Sequence, residues 1–174
     1  MTIENLARVA PPPAAPFEAF VGPWQPIETA VGTPLPQDLK DFARLYGSGG
    51  FMDFMWIAVP WPSDRGVTYA RWVGEACRTF QALSLPYPVW PDAGGLFPAG
   101  STENGDQIFW LPRRDTEAWR VVVWDRGGCE GEDVETFDCD LTDFLAGLAT
   151  GAIIPKAFPD DFYPFEPIFQ PGRS

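Results

Sequence analysis

The residue types best suited to chemistry are concentrated in one short stretch, LFPAGSTENGDQIFWL, from Leu96 to Leu111. It places serine, threonine, glutamate, asparagine and aspartate between two apolar runs. A phosphate-binding loop would need its glycines to lead into the N-terminus of a helix, usually with a lysine. Here a strand-like run follows, and Asn104-Gly105 is typical of a type I′ turn because both residue types tolerate positive φ. We interpret the stretch as a β-hairpin, with a ligand-holding loop as the alternative.

Catalytic bases are limited to carboxylates. The chain contains no histidine, which excludes the usual Ser-His and Cys-His pairs, and neither Lys40 nor Lys156 follows a serine by three positions. What remains is carboxylate chemistry of the glycosidase kind, in which two acids in different environments act as acid and base. The candidates for such a pair are Glu103, Asp106 and Glu135. A small-molecule pocket for this alternative would lie in the loop PWPSDRG or around Trp90.

The cysteines Cys77, Cys129 and Cys139 form no C-x-x-C pair. A zinc site would need further soft ligands, and histidine is missing from the sequence. An odd number of cysteines in a reducing compartment is typical of free thiols. We therefore predict no metal, no cofactor and no disulfide.

The chain is acidic, with 24 acids, 12 bases and a formal net charge of −12. Such a surface repels nucleic acid and would steer a basic partner toward itself. The acids are most concentrated between Asp125 and Asp143, where eight of them accompany one base, Arg126. Their spacing does not fit a calcium-binding loop. The segment is either a solvated turn followed by a helix cap or an electrostatic contact surface.

Partner binding would combine such acids with apolar anchors, because exposed charges mainly set the association rate and buried aromatic residues set dissociation. Four acids crowd into a predicted turn of the acidic segment. Three tryptophans elsewhere are candidate anchors, although a place in the core is the more usual one for a residue of this type. The candidate partner-binding residues are Glu130, Glu132, Asp133, Glu135, Trp56, Trp61 and Trp90.

The hydrophobic pattern predicts an α+β domain that can position these residues. The predicted helices are Pro26–Val31, one from Pro36 that closes at Gly47, Val67–Leu83, and one that Asp140 caps and Gly151 ends. The predicted strands are a central one at 51–60, the two runs on either side of Asn104-Gly105, one at 119–124 and an edge strand at 133–138.

The chain divides into three parts by composition. Residues 1–22 include the proline-rich APPPAAP and are predicted to be a loosely attached arm that contributes little to stability. Residues 23–152 form the domain, and the aromatic and proline-rich tail 153–174 is predicted to pack on it. No apolar run approaches a membrane span and the N-terminus does not resemble a signal peptide, so we expect a cytoplasmic protein.

Several segments occur in the order and spacing of one known family. They are Ile27-Glu28, Gly32, LPQDLKDFARLYGSGG, LFPAGSTENGDQIFWL and FDCDLTDFLAGLATG. From about Trp24 to Gly151 the chain resembles the SUKH superfamily, which includes a fungal regulator of cell-wall synthesis and many bacterial immunity proteins. The long helix around Trp72 and the aromatic tail are less typical of that family.

The resemblance implies a twisted, mainly antiparallel central sheet flanked by helices, and a binding module without catalytic residues. It also implies an immunity protein, or antitoxin, that neutralises a cognate toxin. We therefore expect a protein partner, in particular a basic toxin, with no nucleic acid and no membrane. A regulatory interaction scaffold of the cell-wall-regulator type and a carboxylate-based hydrolase are the alternatives.

Overall fold

The computed structural model describes residues 3–113, 118–160, 162 and 168–172. Within these ranges the chain is an α+β protein of five helices and seven strands. The helices are α1 (Ile3–Val9), α2 (Gln25–Val31), α3 (Gln37–Leu45), α4 (Val67–Gln81) and α5 (Leu141–Thr150). The strands are β1 (Gly49–Phe51), β2 (Met55–Ile57), β3 (Phe97–Thr102), β4 (Gln107–Leu111), β5 (Arg120–Trp124), β6 (Val134–Phe137) and β7 (Phe169–Pro171).

The strands form one open antiparallel sheet in the order β6-β5-β4-β3-β2-β1-β7. Strands β1 to β6 follow one another as a meander, and β7 returns from the C-terminal segment to pair with β1, where Phe169 lies opposite Phe51. The predicted α+β class with an antiparallel sheet is confirmed. So is the edge position of the strand near residues 133–138.

Helices cover both faces of the sheet because side chains alternate between the faces along each strand. On one face α4 places the ring of Phe80 at 4.9 Å from that of Phe109. On the other face α5 places Phe144 at 5.0 Å from Phe137. Helix α3 packs against α5, and α2 packs against α4.

The helices predicted from apolar spacing and end signals are present. For α5, the Asp140 carboxylate accepts a hydrogen bond from the backbone N–H of Asp143 at 2.8 Å, and Gly151 closes the helix in the left-handed conformation. Helix α4 ends at Gln81, two residues before the predicted Leu83.

The stretch from Leu96 to Leu111 is the predicted β-hairpin, formed by β3 and β4. The prediction of a type I′ turn was wrong, because Gly105 has positive φ (+88°) and Asn104 does not. The strands are joined by four residues, with Thr102 N–H donating to the Asp106 carbonyl at 3.0 Å. The Thr102 hydroxyl also donates to the Asp106 carboxylate at 2.7 Å, so a side-chain bond inside the turn favours this longer connection.

The prediction of a single central strand at 51–60 was wrong, because two short strands, β1 and β2, occupy this region. The chain reverses after Phe51, where Met52 and Asp53 have φ of +62° and +53°, and β2 begins at Met55. The reversal was hidden in the sequence because its residues are apolar: Met52 and Phe54 are buried. The Phe54 ring packs 5.0 Å from that of Phe158 in the C-terminal segment.

The N-terminal segment differs from the loosely attached arm that the sequence predicted. Residues 3–9 form α1, which packs on α5, and Leu6 is completely buried. Beyond the helix, the Tyr46 hydroxyl donates to the Ala10 carbonyl at 2.6 Å, and Phe20 is buried. The segment therefore shares the core of the domain.

Candidate functional site

A cleft of about 540 Å³ opens where β1, β2 and β7 approach α4. Its aromatic residues are Trp56 from β2, Trp61 from the β2–α4 connection, and Tyr69 and Trp72 from α4. The remaining lining residues are small, polar or aliphatic: Ser48, Gly49, Gly50, Asp53, Ile57, Ala58, Val59, Asp64, Thr68, Gln170, Pro171 and Gly172. Among the described residues that line it, two are acidic and none is basic.

Strand alternation leaves Trp56 exposed in the cleft while its neighbours Met55 and Ile57 are buried. The indole lies over β1, where Gly50 is the cross-strand partner of Trp56. A Cβ atom at Gly50 would approach the Trp56 Nε1 atom to 3.1 Å, so the absence of a side chain there leaves room for the ring. Trp56 is 40% exposed and Trp61 is 52% exposed, which leaves two large aromatic surfaces open in one cleft.

Asp64 fixes the connection that carries Trp61. Its Oδ1 atom accepts hydrogen bonds from the backbone N–H groups of Gly66 (2.9 Å) and Thr68 (3.2 Å), and Oδ2 accepts one from Tyr69 (2.9 Å). These groups lie at the start of α4, where backbone N–H groups lack partners within the helix. The Asp64 carboxylate therefore stabilises the start of α4.

Tyr69 lines the cleft and keeps an unused hydrogen-bonding group. Its hydroxyl is buried and has no hydrogen-bond partner within the described ranges. Burial raises the pKa of Tyr69 far above its usual value, so the hydroxyl stays neutral and able to donate or accept. An unpaired buried hydroxyl typically costs about 1–3 kcal/mol.

Asp53 lies at the tip of the β1–β2 turn and faces solvent. Its Oδ2 atom accepts a hydrogen bond from the side-chain amide of Gln170 on β7 at 3.1 Å. Both Met52 and Asp53 have positive φ, a conformation that costs non-glycine residues energy and is enriched at functional sites. The strained turn thus holds a carboxylate at the edge of the aromatic cleft.

Three hairpin turns lie side by side at this end of the sheet. The β1–β2 turn meets the β3–β4 turn through the Glu103 N–H, which donates to the Phe54 carbonyl at 2.8 Å. The β3–β4 turn meets the β5–β6 connection through the Arg126 N–H, which donates to Asp106 Oδ1 at 3.1 Å. Together the turns bring acidic residues to one end of the sheet: Asp53, Glu103, Asp106, Asp125, Glu130, Glu132 and Asp133. We call this set the acidic turn end.

The four candidate acids of the sequence analysis fall into two pairs. Glu130 and Glu132 are exposed in the β5–β6 connection, and neither carboxylate bonds to another described residue. Asp133 instead accepts from the Trp124 indole N–H at 2.8 Å, and Glu135 in β6 accepts from the Lys156 N–H at 2.8 Å. Only the first pair is free to meet a partner.

The three candidate tryptophans do not form one surface. Trp56 and Trp61 share the cleft, whereas Trp90 is half-buried and its ring lies 5.9 Å from that of Phe97. The hollow beside Trp90, between α2 and α4, has a volume of about 270 Å³. Of the two pocket positions considered from the sequence, the loop PWPSDRG therefore lines the larger space.

The carboxylates considered for catalysis do not line the cleft. Asp106 is 2% exposed, and its oxygens bond to Thr102 and to the Arg126 N–H. Glu135 bonds to the backbone of Lys156, while Glu103 is exposed at its turn. The cleft itself offers aromatic faces and negative charge, an arrangement suited to binding a cation.

The described ranges contain neither a candidate metal site nor a helix that could span a membrane. No group of three or more His, Cys, Asp or Glu residues in this part of the chain is placed to hold a metal ion. Its helices are too short or too polar for any of them to cross a lipid bilayer. Cys77, Cys129 and Cys139 are free thiols.

Comparison with known proteins found no match for this chain among family models, curated proteins or solved structures. Function must therefore be inferred from the geometry of the cleft and of the acidic turn end.

Sequence reasoning missed several cleft residues. Tyr69 and Trp72 fit the apolar stripe of a core-facing helix, and Gly49 and Gly50 fit the exit from α3. Asp53 lies inside a run whose apolar pattern predicts a single strand. A signal was nonetheless present, because WPSDRG precedes two aromatic residues spaced by three at the start of a helix.

Proposed function

We propose that this protein is a non-catalytic protein-binding module that neutralises a basic toxin, in the manner of a bacterial immunity protein. The observation that carries the proposal is the meeting of the acidic turn end with the aromatic cleft at Asp53, which belongs to both. A basic partner would be attracted by the acids and anchored by the open indoles of Trp56 and Trp61.

The charges support a protein partner over a small substrate. Glu130 and Glu132 are exposed on the β5–β6 connection, where carboxylates keep their hydration until contact. The combination of a polar, charged rim and a few large aromatic residues is typical of protein interfaces.

The hydrolase alternative lacks a suitable pair of acids. Asp53 and Asp64 both line the cleft, but Asp64 already accepts three backbone hydrogen bonds at the start of α4. A glycosidase needs both carboxyl groups available to substrate and water. The cleft thus favours binding.

The test is to express the product of the adjacent gene with and without this protein. Formation of a one-to-one complex on size-exclusion chromatography, together with rescue of growth, supports the proposal. A complex without rescue would favour the regulatory scaffold. No complex, together with hydrolysis of a glycoside by the purified protein, would establish the enzyme alternative.

A further inference from the structure

The cleft formed around Trp56 and Trp61 has the chemistry of a cation-binding site. Indole faces attract cations through their quadrupole, and each contact contributes about 0.5–2 kcal/mol. Asp53 and Asp64 add negative charge to the cleft, and no basic residue lines it within the described ranges. An apolar ligand would leave the Asp53 Oδ1 atom unused, and an anion would be repelled by both carboxylates.

From this combination we infer that the cleft receives an arginine side chain presented by a partner protein. A guanidinium group is planar and stacks on indole faces, and its five N–H donors can reach several acceptors at once. The cleft offers the Asp53 Oδ1 atom, which has no hydrogen bond to a described residue. A lysine ammonium is more strongly hydrated and does not stack, so it matches the cleft less well.

The dimensions fit this occupant. A volume of about 540 Å³ lies within the usual range for ligand sites and leaves room for the backbone that carries the arginine. Gln170 holds the other oxygen of Asp53, which orients the carboxylate before binding. Asp64 keeps Trp61 and α4 in place through its backbone hydrogen bonds. The site is therefore largely preformed.

The inference rests on the proposed function only for the source of the arginine, so a short peptide can test it directly. We would titrate the full-length protein with acetyl-Gly-Arg-Gly-amide and follow tryptophan fluorescence and amide NMR shifts. The matched peptides contain citrulline, which has nearly the same shape without the charge, or lysine. We expect saturable binding in the millimolar range, at least about tenfold tighter for arginine than for citrulline, with lysine intermediate.

Variants assign the binding to this cleft. Trp61→Ala and Asp53→Asn should each weaken arginine binding by at least about fivefold, because each removes one group that contacts the guanidinium. Val21→Ala and Asp92→Asn change an exposed apolar residue and an exposed acid outside the cleft, and should bind as the wild type does.

Equal affinity for arginine and citrulline, or unchanged binding in both Trp61→Ala and Asp53→Asn, would overturn the inference. If the adjacent gene product binds but the arginine peptide does not, the cleft inference fails while the proposed function stands. If the peptide binds and the gene product does not, the proposed function fails while the cleft inference stands.

Discussion

Asp38 and Asp64 show how single acidic residues of this chain hold its helices. Asp64 accepts from backbone N–H groups at the start of α4, and Asp38 accepts from the Leu141 N–H at the start of α5 at 2.6 Å. Asp140 caps the same helix by accepting from Asp143. These carboxylates stabilise helix N-termini. Some of the 24 acidic residues are therefore used within the fold and are not available to a partner.

Asp38 gives a testable pH dependence. Burial raises the pKa of Asp38 from 3.8 to about 6, and the Asp140 carboxylate acts in the same direction. Because the folded-state pKa lies above the unfolded value, the folded state holds this proton more tightly. The resulting stability is fully present below about pH 4 and is lost as the pH rises through about 6.

We therefore expect the free energy of unfolding of the wild type, relative to Asp38→Asn, to fall by up to about 3 kcal/mol between pH 4 and pH 7. Asparagine carries no proton that titrates in this range, so the difference between the two proteins isolates Asp38. Urea unfolding at intervals of one pH unit measures it. A difference that stays constant across this range would show that Asp38 has no raised pKa.

At the scale of elements, α1 is a structural part of the domain. Leu6 is fully buried, and the helix packs against α5, which in turn contacts the sheet. The Tyr46 hydroxyl ties the end of this segment to α3 through the Ala10 carbonyl. Removing the segment would uncover part of the core.

Leu6→Ala is predicted to lower the free energy of unfolding by about 2–5 kcal/mol, because it leaves a cavity between α1 and α5. Arg8→Ala, on the exposed side of the same helix, should change it by less than about 0.5 kcal/mol. Denaturant unfolding of both variants gives the comparison. A loss below about 1 kcal/mol for Leu6→Ala would restore the interpretation of residues 1–22 as a loosely attached arm.

Helices could be predicted where local signals agreed with packing. The Asp140 cap, the apolar spacing of α5 and the closing Gly151 are all readable from neighbouring residues. The β1–β2 reversal was not, because Met52 is an atypical residue for positive φ and the turn is largely apolar, with Met52 and Phe54 buried. Its conformation depends on contacts with the C-terminal segment, which includes Phe158.

The candidate site was predictable only in part for the same reason. Trp56 and Trp61 stood out as large aromatic residues near a turn-rich loop, but their neighbour in the cleft, Tyr69, has the spacing of a core residue. The distinction between free and structural acids depends on long-range bonds, such as that between Glu135 and Lys156. No local sequence pattern records such a bond.

At the scale of the whole molecule, antiparallel topology concentrates charge. Every second connection of the meander returns to the same end of the sheet, so turns that are far apart in sequence become neighbours. Asp53, Glu103 and Glu132 are aligned in this way, and Arg126 is the base in the connection that carries Glu132. A field from several aligned carboxylates steers a basic partner more strongly than scattered acids do.

The last prediction tests that steering. Changing Glu130 and Glu132 together to lysine should slow association with the adjacent gene product by at least about tenfold at low salt, and the effect should fade as added salt screens the charges. Asp133 and Glu135 are left unchanged, because their carboxylates hold Trp124 and Lys156. Stopped-flow or surface plasmon resonance measurements across a salt series give the rates.

The matched control changes Glu75 and Asp92 to lysine, which alters the net charge equally. Both residues are exposed; Glu75 lies within α4, and Asp92 precedes β3, whose far end carries the acidic turn at Glu103. Since steering depends on where the charges lie as well as on their sum, the control should slow association much less. Equal slowing in the two variants would mean that net charge alone attracts the partner, and that the acidic turn end is not its docking side.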